Sequence, residues 1–186
     1  FVAMARDGNE EQKENAVGAL ANLAYNDDNE AAIVAAGGIE VLVSLARDGS
    51  EAQKENAVGA LANLAVNDDN SVAIAAADGI EVLVALARDG TERQKDCAAG
   101  ALCNLSMNDD NKAAIVAAGG IDVLVSLARD GIEGQKVCAA GRCSTSLSTT
   151  TIAWRSRRPA GSRSLFRWLA MGLRGRRSWP RGRSAT

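Results

Sequence analysis

The chain of 186 residues contains no histidine. That removes the commonest general base and the commonest metal ligand together. Aromatic residues are only 3% of the chain, against 47% hydrophobic residues dominated by Ala, Leu and Val. Such small side chains suit closely packed helices better than a β-sandwich. No apolar run reaches the ~18 residues of a membrane span. No signal-peptide pattern opens the chain, and Phe1 is not a natural start, so the expectation is a natural N-terminus further upstream. The four cysteines, Cys97, Cys103, Cys138 and Cys143, form no C-x-x-C pair. They are expected to be buried, reduced thiols of an intracellular protein, cytoplasmic or nuclear. No nucleophile–base pair, phosphate loop or metal cluster is present, so neither catalysis nor a cofactor is expected.

Acidic residues are missing from one end. All 23 lie at or before Glu133, and residues 1–141 carry ten basic residues against them, a net charge of −13. From Arg142 onward there are eleven arginines, no lysine and no acid. An asymmetry this sharp needs its own explanation.

What the chain does have is repetition. The string NDDN opens at Asn26, Asn67 and Asn108, 41 residues apart each time. GGIEVLVSLARDG at Gly37–Gly49 returns as DGIEVLVALARDG at Asp78–Gly90 and GGIDVLVSLARDG at Gly119–Gly131. QKENAVGALANLA at Gln12–Ala24 returns at Gln53–Ala65, then as QKDCAAGALCNLS at Gln94–Ser106. Cys138 is Cys97 one repeat later. A period of this length marks a solenoid, in which each unit contacts mainly its neighbours.

Each full unit reads as three helices. Asn26–Asp28 supplies a turn and an N-terminal cap, with carboxylates at the positive end of the helix dipole. Asn29–Ala36 is a short first helix, broken by Gly37 and Gly38. Ile39–Arg47 is the second, with Ile39, Leu42, Val43 and Ala46 at helical spacing. Its Val and Ile favour sheets, but no hairpin turns accompany them. Ser50–Val66 is the long third helix, capped by Ser50 and striped by Ala57, Ala60, Leu61 and Leu64.

The pattern NDDNxxAIVAAGGIxVLVxLARDGxxxxQKxxAxGALxNLA resembles the armadillo repeat, and its short first helix and Gly-Gly break separate it from HEAT repeats. The resemblance implies an all-α, right-handed solenoid whose third helices line a concave groove. It divides the chain into a partial repeat at 1–25, repeats at 26–66 and 67–107, an incomplete repeat at 108–141, and an Arg-rich tail at 142–186. The function it implies is non-catalytic, a scaffold that binds an extended segment of another protein. The negative charge of the repeats points to a basic partner.

Groove candidates follow from the third helices. Asn15 and Asn22 share a face with Gly18, and Asn56 and Asn63 share the equivalent face with Gly59. In the next copy Cys97 and Asn104 flank Gly100. Armadillo proteins that bind extended peptides use the Asn of ALxNL on the peptide backbone. The resemblance carries that role to Asn22, Asn63 and Asn104, while the fourth copy has Thr145. A second role fits equally, hydrogen bonding to the adjacent repeat. Nuclear-import adaptors carry Trp where this chain has Gly18, Gly59 and Gly100, which argues against cargo binding of that kind. The glycines are expected to serve close helix–helix approach. The Asp27-Asp28, Asp68-Asp69 and Asp109-Asp110 pairs miss the EF-hand spacing and read as solvated turns and caps. Gln12-Lys13, Gln53-Lys54, Gln94-Lys95 and Gln135-Lys136 read as exposed first-turn residues.

After Gly141 the pattern collapses. One reading is a basic disordered tail. Another is a nucleic-acid or acidic-surface binding arm, with its arginines and all three Trp. A third reading accounts for more. PAGSRSLFRWLAMG at Pro159–Gly172 can be encoded so that the frame one base upstream spells AGGIEVLVSLARDG, the string at Ala36–Gly49, three repeat lengths away. The same shift turns Thr149–Trp154 into NDDNSV, where the next tetrad is due. It also turns Arg176–Thr186 into a sequence such as QKELAAGALCN. Residues 142–186 therefore read as armadillo coding sequence translated out of frame. Polar residues then replace the leucines of the last third helix. The expectation is a disordered or poorly packed tail, with at most a short helix at Ser164–Met171. The coding DNA tests this directly: the adjacent frame should spell armadillo repeat from codon 142 onward, and any other sequence there defeats the reading.

Overall fold

The computed structural model describes residues 1–131, as ten α-helices and no strand among the described residues. Residues 132–186 lie outside them, and with them the out-of-frame tail, its Ser164–Met171 helix and Thr145. The solenoid is built from α1 (Val2–Asp7) and α2 (Glu10–Leu23) of a partial unit. Two complete units follow: α3 (Asp27–Ala35), α4 (Gly38–Asp48) and α5 (Glu51–Leu64), then α6 (Asp68–Ala76), α7 (Gly79–Asp89) and α8 (Glu92–Leu105). The first two helices of a third, α9 (Asp109–Ala117) and α10 (Gly120–Asp130), complete the described part.

The NDDN string does more than cap. Asn26, Asn67 and Asn108 are the N-caps, each side chain accepting from two backbone N–H groups of the following turn. The Asp pairs lie inside the first turn of the helix, not in the turn before it, so the first helices begin two residues earlier than their pattern suggests. There the carboxylates meet the positive end of the dipole without needing to cap it. The second Asn joins neighbouring units. Asn70 Nδ2 donates to Glu30 Oε2 at 3.2 Å, and Asn111 Nδ2 to the Ser71 carbonyl at 3.2 Å.

First and second helices meet at bends of 82°, 85° and 83°. Gly37 and Gly119 hold these corners at φ +73° and +78°. Asp78 does so at φ 59°, the one non-glycine residue with positive φ among those described. The following glycine is required by contact. A Cβ on Gly79 would lie 2.6 Å from Ile74 Cγ2 and 2.7 Å from the Ile74 carbonyl oxygen.

Second and third helices supply most of the core, with one isoleucine from each first helix. Leu42, Leu61, Leu64, Ile74, Leu83, Leu102, Leu105 and Ile115 are fully buried. The third helices α2, α5 and α8 pack side by side, each also covered by the second helix of its own unit. Every third helix opens with a reciprocal capping box: Asn9, Ser50 or Thr91 caps, and the Gln three residues on returns a bond to the cap backbone.

Two of those glutamines overturn their reading as exposed residues. Gln53 and Gln94 are each 1% exposed. Gln53 Nε2 donates to the Glu10 carbonyl at 3.2 Å and to Glu10 Oε2 at 3.0 Å. Gln94 Nε2 donates to the Glu51 carbonyl at 3.3 Å and to Glu51 Oε2 at 2.8 Å. Of the described three, Gln12, at the start of the partial unit, is the exposed one. The physical reason is position: the first turn of one third helix lies against the first turn of the preceding one.

Cys103 departs from the expected reduced thiol: it is buried and disulfide-bonded, whereas Cys97 is a half-buried thiol.

Gln94→Ala should lower unfolding stability by about 2 kcal/mol, since it orphans the Glu51 groups and opens a buried gap. Urea titration measures it. Gln12→Ala, on the exposed first copy, should cost less than half as much.

Candidate functional site

At 100° per residue, the third helix α5 divides cleanly. Gln53, Ala57, Val58, Ala60, Leu61 and Leu64 are buried and form one arc. Ala52, Glu55, Asn56, Gly59, Ala62, Asn63 and the following Val66 form the arc that solvent reaches. Gly59 sits at the middle of that arc. Equivalent residues of α2, α5 and α8 stand side by side, so the exposed arc becomes a continuous face of rows.

The middle row is Gly18, Gly59 and Gly100. Among the described residues a Cβ on Gly59 or Gly100 would meet nothing within 4 Å, and one on Gly18 only the Asn56 amide, its Nδ2 at 3.6 Å. These glycines are therefore not the close-approach residues their sequence context suggests. Close approach belongs to Gly38, Gly79 and Gly120 at the corners, where a Cβ would strike Ile33, Ile74 and Ile115. The middle row is a trough floored by helix backbone.

Asparagines stand on both sides of the glycine row, three residues before it and four after it along each third helix. Asn15 and Asn22 are exposed on α2, while Asn56, Asn63 and Asn104 are half-buried. Cys97 takes the place that Asn15 and Asn56 hold in the earlier copies. Asn63 Nδ2 donates to the Ala21 carbonyl at 3.4 Å, and Asn104 Nδ2 donates to the Ala62 carbonyl at 3.1 Å. Both acceptors lie in the last turn of the preceding third helix, where carbonyls lack intrahelical donors. The structure thus gives Asn63 and Asn104 an inter-repeat bond. An Asn has two N–H donors and one carbonyl oxygen, and this bond uses a single donor.

An acidic row runs beside the first of these asparagine rows. Glu14, Glu55 and Asp96 occupy one position in successive third helices. Arg93 Nε of α8 pairs with Glu55 Oε1 at 2.8 Å, with side-chain exposures of 73% and 30%. Asp96 Oδ1 is buried without a hydrogen-bond partner. At the far end of each third helix stand Tyr25, Val66 and Met107, 77%, 67% and 62% exposed. Neither the acidic row nor this apolar row was among the sequence-derived candidates. Their signal was the same period that found the asparagines, since each recurs after 41 residues.

The Armadillo/beta-catenin-like repeat model matches residues 26–66, which is one complete unit of the structure. Among solved structures the chain is similar to an engineered protein at 35% identity and TM-score 0.73, over 79% of this chain and 61% of that one. It is also similar to a computationally designed armadillo repeat protein for modular peptide recognition, at 27% identity and TM-score 0.75, over 92% and 68% of the two chains. A third is a designed armadillo repeat protein in complex with the peptide (KR)4, at 25% identity and TM-score 0.73, over 92% and 78%. The chain thus spans about three fifths to four fifths of these structures' lengths. No curated protein matches it. The chain is an armadillo repeat protein.

Two glycine substitutions should move stability in opposite directions. Gly59→Ala should stabilise by about 1 kcal/mol, because it removes a mid-helix glycine into open space. Gly79→Ala should destabilise by about 2 kcal/mol or more, because its Cβ meets backbone. Paired thermal melts read both signs.

Proposed function

We propose that the face made by α2, α5 and α8 is a concave groove that binds an extended, Lys- or Arg-rich segment of a partner protein, without catalysis. The observation that carries this is the trough: a glycine row at the centre of the exposed arc, with asparagines on both sides of it along the helix axes and an acidic row beside the first of them. A bound main chain can approach helix backbone there because no side chain intervenes. Asn15, Asn22, Asn56, Asn63 and Asn104 flank the trough where they would meet its amides, and Glu14, Glu55 and Asp96 form the row that would meet its cations. The net charge of −13 over residues 1–141 adds a long-range attraction for such a partner. The designed relatives support the reading, one described as made for modular peptide recognition and one as a complex with (KR)4. Gly in place of Trp at the trough floor removes the stacking platform of a nuclear-import adaptor, so recognition rests on main chain and charge.

Nucleic-acid or acidic-surface binding through the Arg-rich tail is the second reading, favoured by its eleven arginines. It falls on residues outside those described, and the out-of-frame reading removes its basis.

A fluorescent peptide of alternating Lys and Arg tests the groove. It should bind the full chain and weaken steeply with salt. Neutralising the acidic rail with Glu14→Gln, Glu55→Gln and Asp96→Asn together should cost at least tenfold in Kd. Binding indifferent to both salt and the triple variant would refute the proposal.

A further inference from the structure

Resting on that groove, we propose that Arg93 is an internal occupant of its middle cation subsite, so that the groove reads cations spaced two repeats apart. The three acids of the rail are equivalent in position but not in company. Glu55 carries the Arg93 guanidinium at 2.8 Å, reaching back from the next third helix. The residue standing where Arg93 stands, one repeat earlier, is Ala52, which offers Glu14 no cation. Glu14 has no ion pair among the described residues, and Asp96 Oδ1 has no hydrogen-bond partner. The sequence places Gly134 where an arginine serving Asp96 would come from.

The remaining cations do not fill the gap. Lys13, Lys54 and Lys95 are each paired with a glutamate three residues earlier in their own first turn, Glu10, Glu51 and Glu92. They lie away from the rail on the helix circumference. Arg93 is therefore the one side chain that places a guanidinium on the acidic rail among the described residues. Its 73% exposure makes the pair a surface one. Such pairs are weak and can be displaced by a competing ligand.

Spacing follows from the stacking. Adjacent packed helices stand about 8–10 Å apart, so Glu14 and Asp96 are separated by roughly 16–20 Å along the rail. An extended chain rises about 3.3 Å per residue. A ligand engaging both acids and skipping Glu55 must place its cations about five or six residues apart. A ligand with cations about two or three residues apart needs Glu55, and so must displace Arg93.

The test uses the full chain and two synthetic peptides on a neutral Gly/Ser/Thr background. One carries two Lys five residues apart and the other two Lys two or three residues apart, with Kd read by fluorescence anisotropy at low salt. The unmodified protein should favour the wide pair. Arg93→Ala should tighten binding of the close pair by roughly two- to fivefold and leave the wide pair within twofold. Ala52→Arg should install the same clamp on Glu14 and weaken both peptides. Both substitutions fall on exposed positions, and thermal melts confirm the fold. If the peptides bind but Arg93→Ala and Ala52→Arg change neither Kd, Arg93 is not an occupant of the subsite. If neither peptide nor the Lys/Arg peptide binds any variant, the groove reading fails and this inference with it.

Discussion

The structure depends on the amide side chains through which each repeat bonds to the one before it. A solenoid stacks short helices, and every helix end leaves backbone groups without an intrahelical partner. Where an end is covered by the next repeat, water cannot serve it. At the ends of the third helices Asn63 and Asn104 do, donating to the Ala21 and Ala62 carbonyls. Two further amide positions per repeat bond across the same junction: Asn70 and Asn111 reach from the first helices to Glu30 Oε2 and the Ser71 carbonyl, and Gln53 and Gln94 from the start of the third to Glu10 and Glu51. Their acceptors lie 40 to 43 residues back, close to one repeat length. The apolar core supplies most of the burial energy. The amides restrict register, because a one-turn slip between third helices would leave buried donors and acceptors unpaired.

Much of this was legible in the period. The corners at Gly37–Gly38 and Gly119–Gly120, the caps at Ser50 and the asparagines, and the stripes of the third helices all fall within a residue or two of their expected places. These are local properties, fixed by capping chemistry and apolar spacing. What escaped was the direction in which polar residues point. Gln53 looks like any solvated first-turn residue until a neighbouring helix is laid across it. Gly59 looks like a packing glycine until its surroundings prove open. A period of 41 residues says that equivalent positions recur. It does not say which face of a unit turns toward the next, and that offset decides burial, bonding and access.

The glycine rows show the difference in energetic terms. At Gly79 the missing side chain relieves a contact with Ile74 that no L residue could make, so the fold itself explains the residue. At Gly59 and Gly100 no such contact exists among the described residues. A glycine inside a helix costs about 1 kcal/mol relative to alanine. Placing one at the centre of each exposed arc thus lowers stability without a packing return. The proposed groove, a face that would admit another main chain, gives that cost a reason that solvent exposure alone does not.

Repetition also changes how a binding face acquires specificity. Stacking forces equivalent residues into rows, so a single acid per repeat becomes a rail with one subsite per unit. Uniform rows would grip any chain of the right charge at any register. Discrimination must come from the positions where the copies disagree. Along this face they disagree at few points. Cys97 replaces an asparagine, Asp96 is one methylene shorter than Glu14 and Glu55, and Arg93 stands where the earlier copies have Ala52 and Glu11. Arg93 has the largest consequence, because it changes both the charge and the occupancy of a neighbouring subsite. A rail of three acids with its centre filled is a different ligand-reading device from a rail of three. The difference is carried by one side chain that the fold does not require.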